Sequence, residues 1–319
     1  MTLGEIYTKG EQDLMSRELG FALGSVETGW VGANNRAVFD RWALRQKAIN
    51  APPSAETSVN FLGVDISAPV VMSAITMPIP GICEDGLLKV AQGLAEAGSV
   101  MWTGTPIPQD LQGLLATGVP LIASVKPYED RDRLKADVEK ITAEGVGMIS
   151  LEIDAAMGTK IQDKPMATGC APLSFAELQE LRGLIKGKMI AKGVLSVPDA
   201  QLCVQAGVDA VVLSNHGAHT IDYLPHPLQV AQEVVAAIDG RAYIVMDGGF
   251  RRGTDVIKGL AMGADAIGLG RPILYALAAG EAQGVRDLIA CLQEEMRRTM
   301  VMLGAQSPRD LGPECLIKL

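Results

Sequence analysis

The sequence is short of cysteine, and its cysteines share no pattern. The five are Cys83, Cys170, Cys203, Cys291 and Cys315. Their wide spacing, without a Cys-x-x-Cys pair, argues against a disulfide framework and against a metal site. It is typical of reduced thiols, and we expect a cytoplasmic protein with no bound metal.

Long apolar runs and clusters of positive charge are also missing. No uninterrupted apolar run reaches the roughly eighteen residues of a membrane-spanning helix, and the polar start MTLGEIYTKGEQDL does not resemble a signal peptide. The net charge is −9, and no Lys/Arg cluster is interleaved with aromatic residues. These absences argue against membrane and nucleic-acid partners and leave a soluble protein with a small-molecule substrate.

Histidine is scarce, but its placement is informative. The three histidines, His216, His219 and His226, lie close together. His216 stands in Ser-Asn-His-Gly at 214–217, and Asp-Gly-Gly-Phe-Arg-Arg-Gly follows at 247–253. The first segment offers a base, and the second offers backbone donors and a fixed cation. This grouping predicts one site, in which His226 is interpreted as a loop residue.

From residue 68 onward, apolar runs alternate with amphipathic helical stretches. The predicted strands are Pro69–Ser73, Ser99–Trp102, Pro120–Val125, Gly147–Ile153, Met189–Ala191, Ala210–Leu213, Tyr243–Met246 and Ala266–Leu269. Near-continuous apolar strands indicate a parallel sheet covered by helices on both faces. Eight βα units in about 250 residues predict an α/β fold, the (β/α)8 TIM barrel, with an open doubly wound sheet as the alternative.

Residues 1–67 do not fit a βα unit. They contain helix-like pieces, a Pro-rich stretch (APPSAETS) and a probable hairpin at FLGVDI. The segment is too short to bury a core of its own. We therefore predict an N-terminal helical cap with a lead-in strand that closes the bottom of the barrel, residues 68–319 forming the barrel within one structural domain.

The ends of the predicted strands supply candidate site residues, because active sites of such barrels lie at the carboxyl ends. The candidates are Glu152, Asp154, Lys192, Ser214, His216, Asp247, Gly248, Gly249, Arg251, Gly270 and Arg271. The last two strands end in glycine with a nearby arginine, which is typical of a phosphate site. The alternative is that these glycines make only tight turns and the arginines only ion pairs.

Several motifs resemble the FMN-dependent α-hydroxy-acid oxidases and dehydrogenases, which include glycolate and lactate oxidases. The matching stretches are AKGVLSVPDA (191–200), LSNHG (213–217), MDGGFRRGTDVIKGLAMGADAIGLGRPILYALAAGEAQGV (246–285) and MLGAQSPRDLG (302–312). Weaker similarity reaches upstream to NRAVFDRWALR (35–45). The resemblance implies a TIM barrel, FMN as cofactor and a homo-oligomer, with a tetramer among the options.

The resemblance also implies roles for individual residues. His216 would be the base while hydride passes from the carbinol carbon to flavin N5, and Asp154 would orient it. Lys192 would lie beside flavin N1 and O2. The implied cofactor-binding residues are Ala74, Ile75, Thr76, Thr103, Ser124, Glu152, Lys192, Ser214, His216, Gly217, Asp247, Gly248, Gly249, Arg251, Gly270 and Arg271.

The departures from the family pattern concern the substrate. Where the family has an arginine that anchors the substrate carboxylate, this chain reads SNHGAHTID and has His219. Lys126 replaces a substrate tyrosine, Ser124 a glutamine and Glu152 a threonine. An imidazole lacks the two-pronged grip of a guanidinium. Lys126, Lys160 or a protonated His219 could bind the substrate in its place, or His219 only fills space.

Three functions remain open from the sequence. The first is FMN-dependent oxidation of a carbinol, either an α-hydroxy acid or a derivative without a free carboxylate. The second is a flavin-dependent isomerase without net oxidation, and the third is a flavin-binding protein without turnover. The electron acceptor, whether O2, a quinone or a carrier protein, is not defined by the sequence.

Overall fold

The computed structural model describes all 319 residues and contains an eight-stranded parallel barrel. In chain order its strands are β4 (Val70–Met72), β5 (Met101–Thr103), β6 (Leu121–Val125), β7 (Met148–Glu152), β10 (Lys188–Val194), β11 (Ala210–Leu213), β12 (Tyr243–Met246) and β13 (Ala266–Leu269). Neighbours along the chain are neighbours in the sheet, and β13 pairs with β4. The barrel closes between β4 and β5, where the N–H groups of Met72 and Ile75 donate to the carbonyls of Val100 (3.0 Å) and Trp102 (3.2 Å). The predicted TIM barrel is confirmed.

Helices follow the strands and cover the barrel. They are α3 (Ile79–Ile82), α4 (Gly86–Glu96), α5 (Leu111–Leu115), α6 (Arg131–Ala143), α7 (Phe175–Leu184), α8 (Val197–Ala206), α9 (Pro227–Ile238), α10 (Gly253–Ala261) and α11 (Arg271–Leu303), which is kinked at Gly280 and Glu281. The starts of several helices follow from local capping; for example, Ser174 and Glu177 form a capping box on α7, and Asp130 caps α6. None of these helices has the length and apolar character needed to cross a bilayer.

The core lies inside the barrel and between the strands and their helices. Six of the eight barrel strands are buried along their whole length, as expected for strands covered on both faces. One continuous apolar cluster extends from Leu3 to Leu316 and so includes residues on both sides of position 67. The boundary between cap and barrel stays a prediction.

The N-terminal segment touches both ends of the barrel. It contains α1 (Leu3–Ser16), α2 (Trp30–Ala37), β1 (Trp42–Leu44) and the hairpin of β2 (Val59–Phe61) and β3 (Val64–Ile66). Phe61 packs edge-on against Tyr243 at the start of β12, so the hairpin lies at the amino end of the barrel. In contrast, α2 lies at the carboxyl end, where Asn35 bonds Asn215 in the loop after β11 and Arg36 donates to the Gly249 carbonyl in the loop after β12.

Three short strands outside the barrel remain, β14 (Leu316–Lys318), β8 (Thr159–Ile161) and β9 (Lys164–Ala167). β14 pairs antiparallel with β1 and so ties the C-terminus to the N-terminal segment. β8 and β9 form a hairpin in the loop after β7. This hairpin lies over the carboxyl end of the barrel, where it contributes to the wall of the cavity described next.

Candidate active site

A cavity of about 470 Å³ opens at the carboxyl ends of the barrel strands. Most of the candidate residues line it: Ala74, Ile75, Thr76, Lys126, Glu152, Lys192, His216, Gly217, His219, Asp247, Gly248, Gly249, Arg251, Gly270 and Arg271. The structure therefore brings together residues from the ends of most of the strands, as the barrel rule requires.

Four candidates lie behind the cavity wall instead. Ser124 accepts a hydrogen bond from the Trp102 indole (3.0 Å), and Thr103 donates to the Ile122 carbonyl (3.4 Å). Ser214 accepts from the backbone N–H of His216 (3.0 Å). The fourth, Asp154, contacts His216 from behind. These groups support the residues that line the cavity, and direct cofactor contact by Thr103, Ser124 and Ser214 stays a prediction.

His216 is held by a carboxylate. Its Nδ1 lies 2.9 Å from Asp154 Oδ1, and its Nε2 makes no hydrogen bond within the protein. Desolvation by burial raises the pKa of Asp154, but the charges of His216 and Lys192 outweigh it and lower that pKa to about 2. Asp154 is therefore a carboxylate at neutral pH, which fixes Nδ1 as the protonated nitrogen and leaves Nε2 free to accept a proton.

The position of Asp154 depends on a glycine in β10. Gly193 has φ +101°, and a Cβ there would lie 2.5 Å from Asp154 Oδ1. No other residue type leaves room for this carboxylate, so the glycine in AKGV allows the pair of Asp154 and His216 to form. The sequence shows this glycine but not what it faces.

Lys126 and Glu152 form a buried ion pair on the cavity wall. Lys126 Nζ lies 2.5 Å from Glu152 Oε2, and the side chains are 6% and 2% exposed. Glu152 Oε2 is also 3.8 Å from His216 Nε2. Burial alone would raise the pKa of Glu152, but Lys126 and His216 lower it overall. Both residues are site candidates from the sequence, but an ion pair between them was not predicted.

Three buried polar atoms of the site have no partner in the protein. Asp154 Oδ2 lies behind the cavity wall, whereas Lys192 Nζ and Asp247 Oδ1 belong to residues that line the cavity. Burial disfavours the Lys192 cation, but Asp154, Asp247 and Glu152 raise its pKa overall, so it is charged. Buried polar groups without partners are rare in native proteins and mark places where a ligand supplies the missing bond.

The loop after β12 has the properties predicted for a phosphate site. Gly248 and Gly249 have φ +92° and +78°, and the Arg251 side chain lines the cavity without a hydrogen bond or ion pair in the protein. Arg271 donates from Nη2 to the carbonyls of Gly24 (2.6 Å) and Gly217 (3.0 Å). Arg251 is therefore the freer of the two predicted phosphate ligands.

Residues that support this loop from the N-terminal segment were not predicted from the sequence. Asn35 and Asn215 exchange side-chain hydrogen bonds of 3.0 and 2.7 Å, and Arg36 donates to the Gly249 carbonyl and to Asp255 (2.8 Å). Two consecutive asparagines are unusual at buried positions of a short helix. They were the sequence feature that could have pointed to this contact.

His226 is not a simple loop residue. It is fully buried, its ring packs edge-on against Phe39, and its Nε2 donates to the Gly248 carbonyl at 2.6 Å. Its Nδ1 accepts from the Leu228 N–H at 3.0 Å at the start of α9. Burial lowers the pKa of His226 to about 4, so it is neutral and fixes the loop after β12.

His219 lies at the cavity wall as a neutral imidazole. Burial and the nearby Arg271 lower its pKa to about 3, and its Nε2 donates to the Gly24 carbonyl at 3.2 Å. A cationic His219 is therefore disfavoured at neutral pH. Lys160 is engaged by Glu27 and does not line the cavity.

The cavity rim contains a cation that was not predicted. The Arg133 guanidinium stacks on the Tyr128 ring, with Cζ 3.7 Å from the ring centroid, and both residues line the cavity. The stretch YEDRDRL (128–134) carries both residues, so the sequence contained the signal although not their contact.

Comparison with known proteins gives a consistent result. A family profile described as FMN-dependent dehydrogenase matches residues 11–168 and 160–318. An L-lactate oxidase from a Nostoc strain is 30% identical over 323 residues, which cover 88% of this chain and 88% of that protein. Glycolate oxidase 3 from Arabidopsis thaliana is 28% identical over 322 residues, covering 90% of this chain and 87% of that protein.

Solved structures agree in fold. An arginine-to-leucine variant of mandelate oxidase with 2-hydroxy-phenylacetamide superposes with a TM-score of 0.86 at 25% identity, over 96% of this chain and 95% of that chain. A mutant flavocytochrome b2 with pyruvate bound gives a TM-score of 0.90 at 24% identity, over 99% of this chain and 86% of that chain.

Proposed function

Because the chain belongs to the FMN-dependent dehydrogenase family and has FMN as its cofactor, we propose that it oxidises a carbinol to a carbonyl, with His216 as the base. The substrate is an α-hydroxy acid or a derivative without a free carboxylate. Bound FMN supplies the acceptor, at flavin N5, for the hydride that the carbinol carbon gives up. The hydroxyl proton goes to His216 Nε2, and the C–O bond becomes a carbonyl.

The observation that carries this proposal is the pairing of His216 with Asp154. The carboxylate occupies Nδ1 at 2.9 Å, while Nε2 has no partner within the protein and belongs to a residue that lines the cavity. When Nε2 accepts the hydroxyl proton, the resulting imidazolium lies against a carboxylate that is already ionised. A base held in this way stabilises the positive charge that develops on it.

The residues of the cavity fit FMN. We assign Lys192 and Asp247, whose Nζ and Oδ1 lack partners, to the polar edge and ribityl chain of the cofactor. The backbone of Gly248 and Gly249 and the unpaired Arg251 side chain would take the phosphate, since both supply donors to an anion. Arg271 would act from a fixed position, held by two backbone carbonyls.

Anaerobic reduction of the FMN-loaded protein tests the proposal. A panel of hydroxy acids and the matching amides is mixed with the wild type and His216→Ala, and loss of the flavin absorbance is followed. We expect reduction by at least one carbinol, and a rate about 10² to 10⁴ times lower in the variant at equal FMN content. Wild-type reduction by His216→Ala would show that another group is the base.

The same experiment separates the alternatives. A flavin-dependent isomerase would convert its substrate without lasting bleaching, and a protein without turnover would do neither. The rate at which air restores the absorbance then distinguishes an oxidase from a dehydrogenase that needs a quinone or cytochrome. Cytoplasmic location and a homo-oligomeric state stay predictions, which fractionation and light scattering would test.

A further inference from the structure

The buried ion pair of Lys126 and Glu152 stands next to the working nitrogen of the base. Lys126 follows β6 and Glu152 ends β7, so two neighbouring strands bring them together at 2.5 Å. Glu152 Oε2 is 3.8 Å from His216 Nε2. Any substrate whose hydroxyl reaches His216 therefore places its adjacent substituents beside this pair.

We propose that the Lys126–Glu152 pair selects substrates that are uncharged beside the carbinol and binds a carboxamide there, so that the substrates are α-hydroxy amides. The inference rests on the proposed carbinol oxidation and adds the substrate class to it.

Hydrogen-bond chemistry supports a carboxamide. The ammonium of Lys126 only donates, and the carboxylate of Glu152 only accepts. An amide offers a carbonyl oxygen to the first and an N–H to the second, and it satisfies both. A carboxylate has only acceptors, so one of its oxygens would face Glu152 with no proton between them.

The charge around the base also disfavours an anion. Four ionised groups stand around it, the carboxylates of Glu152 and Asp154 and the ammonium groups of Lys126 and Lys192, and their charges cancel. Burial raises the pKa of Asp247, and whether protonated or ionised this third carboxyl group supplies no compensating positive charge. A substrate carboxylate would add an uncompensated negative charge in a buried environment, which is strongly disfavoured.

The other cations of the cavity are assigned to FMN or engaged by the protein. Lys192 and Arg251 would face the cofactor's polar edge and phosphate. His219 is neutral and its Nε2 donates to Gly24. The Arg271 guanidinium is tied to the carbonyls of Gly24 and Gly217. Arg133 is exposed at the rim, stacked on Tyr128, rather than beside the base. The Lys126 charge is therefore the available one, and Glu152 already neutralises it.

Ligand binding tests this selection without turnover. The FMN-loaded wild type is titrated with two matched pairs that lack the hydroxyl group, phenylacetamide with phenylacetate and propionamide with propionate. The change in the flavin absorption spectrum gives each Kd. We expect the amide of at least one pair to bind about tenfold or more tightly than its acid, since a site built for hydrogen bonds rejects an analogue that leaves them unpaired. Acids that bind as tightly as the amides, or amides that do not bind, would overturn the proposal.

A variant tests whether the Lys126–Glu152 pair causes the preference for the amide. Glu152→Gln keeps the size of the side chain and removes its charge, so the preference for the amide should shrink by about tenfold. Glu180→Gln is the matched control, because it breaks the exposed Lys135–Glu180 pair at 2.6 Å and should leave the preference unchanged. An unchanged preference in Glu152→Gln would overturn the role of the pair.

The two proposals can fail separately. If no carbinol of the panel, mandelamide and mandelate included, bleaches the flavin while the amide preference in binding persists, the carbinol oxidation is wrong and the selection stands. If both bleach it and the acid binds as tightly as the amide, the oxidation stands and the selection is wrong.

Discussion

The contact between the N-terminal segment and the loop after β12 gives a sharp prediction at Gly249. A methyl group there would overlap the Asn35 carbonyl oxygen, and its carbon would lie 2.8 Å from the Asn35 carbonyl carbon. Both atoms belong to backbone, so no side-chain rotation relieves the overlap. Gly249→Ala should therefore push α2 away from the loop.

Gly248 provides the matched control. It also has a positive φ, +92° against +78° for Gly249, but a methyl group there would meet only side-chain atoms, at 3.5 Å or more. Backbone strain should cost about 1–2 kcal/mol in either alanine variant. Overpacking adds about 1–3 kcal/mol in Gly249→Ala alone.

The assay is urea unfolding of the FMN-free proteins, followed by titration with FMN. We expect Gly249→Ala to lose about 1–3 kcal/mol more unfolding free energy than Gly248→Ala. Its Kd for FMN should be about tenfold higher than that of Gly248→Ala, because displaced N–H groups no longer meet the phosphate. Equal losses in the two variants would refute the proposed contact between Asn35 and Gly249.

Three further predictions concern the site. Asp154→Asn should slow anaerobic flavin reduction about 10³-fold at unchanged FMN content, because it removes about 4 kcal/mol of attraction for an imidazolium at His216. A rate within a few-fold of wild type would argue against this role of Asp154. Arg251→Ala should release FMN on gel filtration, whereas unchanged retention would count against the phosphate assignment. The neutral His226 has a pKa of about 4 against an ordinary 6.5, so stability is complete above pH 6.5 and falls as the pH drops toward 4. Urea unfolding at pH 7 and pH 5 should show a loss of stability to which His226 contributes about 2 kcal/mol and the neutral His219 a similar amount. His226→Gln should reduce the loss by about 2 kcal/mol, and an unchanged loss in that variant would contradict the prediction.

The barrel was predictable from sequence because its signal is local. Each buried strand is a short apolar run, and helices follow these runs, several of them with a side-chain cap, as at Ser174 and Asp130. The place of α2 was not predictable in this way. Its position depends on a bond from Asn35 to the loop after β11, 180 residues away, and on one from Arg36 to the loop after β12, 213 residues away. The residue pattern within one segment does not indicate which distant residues that segment contacts.

The site was predictable to a similar extent. Residues at strand ends converge by topology, so Asp154, Lys192 and His216 could be grouped without knowing any distance. Pairing between strands is different, because the side chain that neutralises Lys126 lies 26 residues away at Glu152. The state of His219 likewise depends on burial, which the sequence does not specify.

The departures from the family pattern at His219 and at the Lys126–Glu152 pair both disfavour a substrate carboxylate. Where the resemblance expects an arginine, His219 is neutral and hydrogen-bonded to backbone. The lysine that could have replaced that charge is paired with Glu152. The substrate side has thus lost a free cation and gained a carboxylate beside His216. The variant His219→Arg alone should therefore not produce binding of a hydroxy acid, because Glu152 would still face the substrate carboxylate. The Lys126–Glu152 pair would have to change as well.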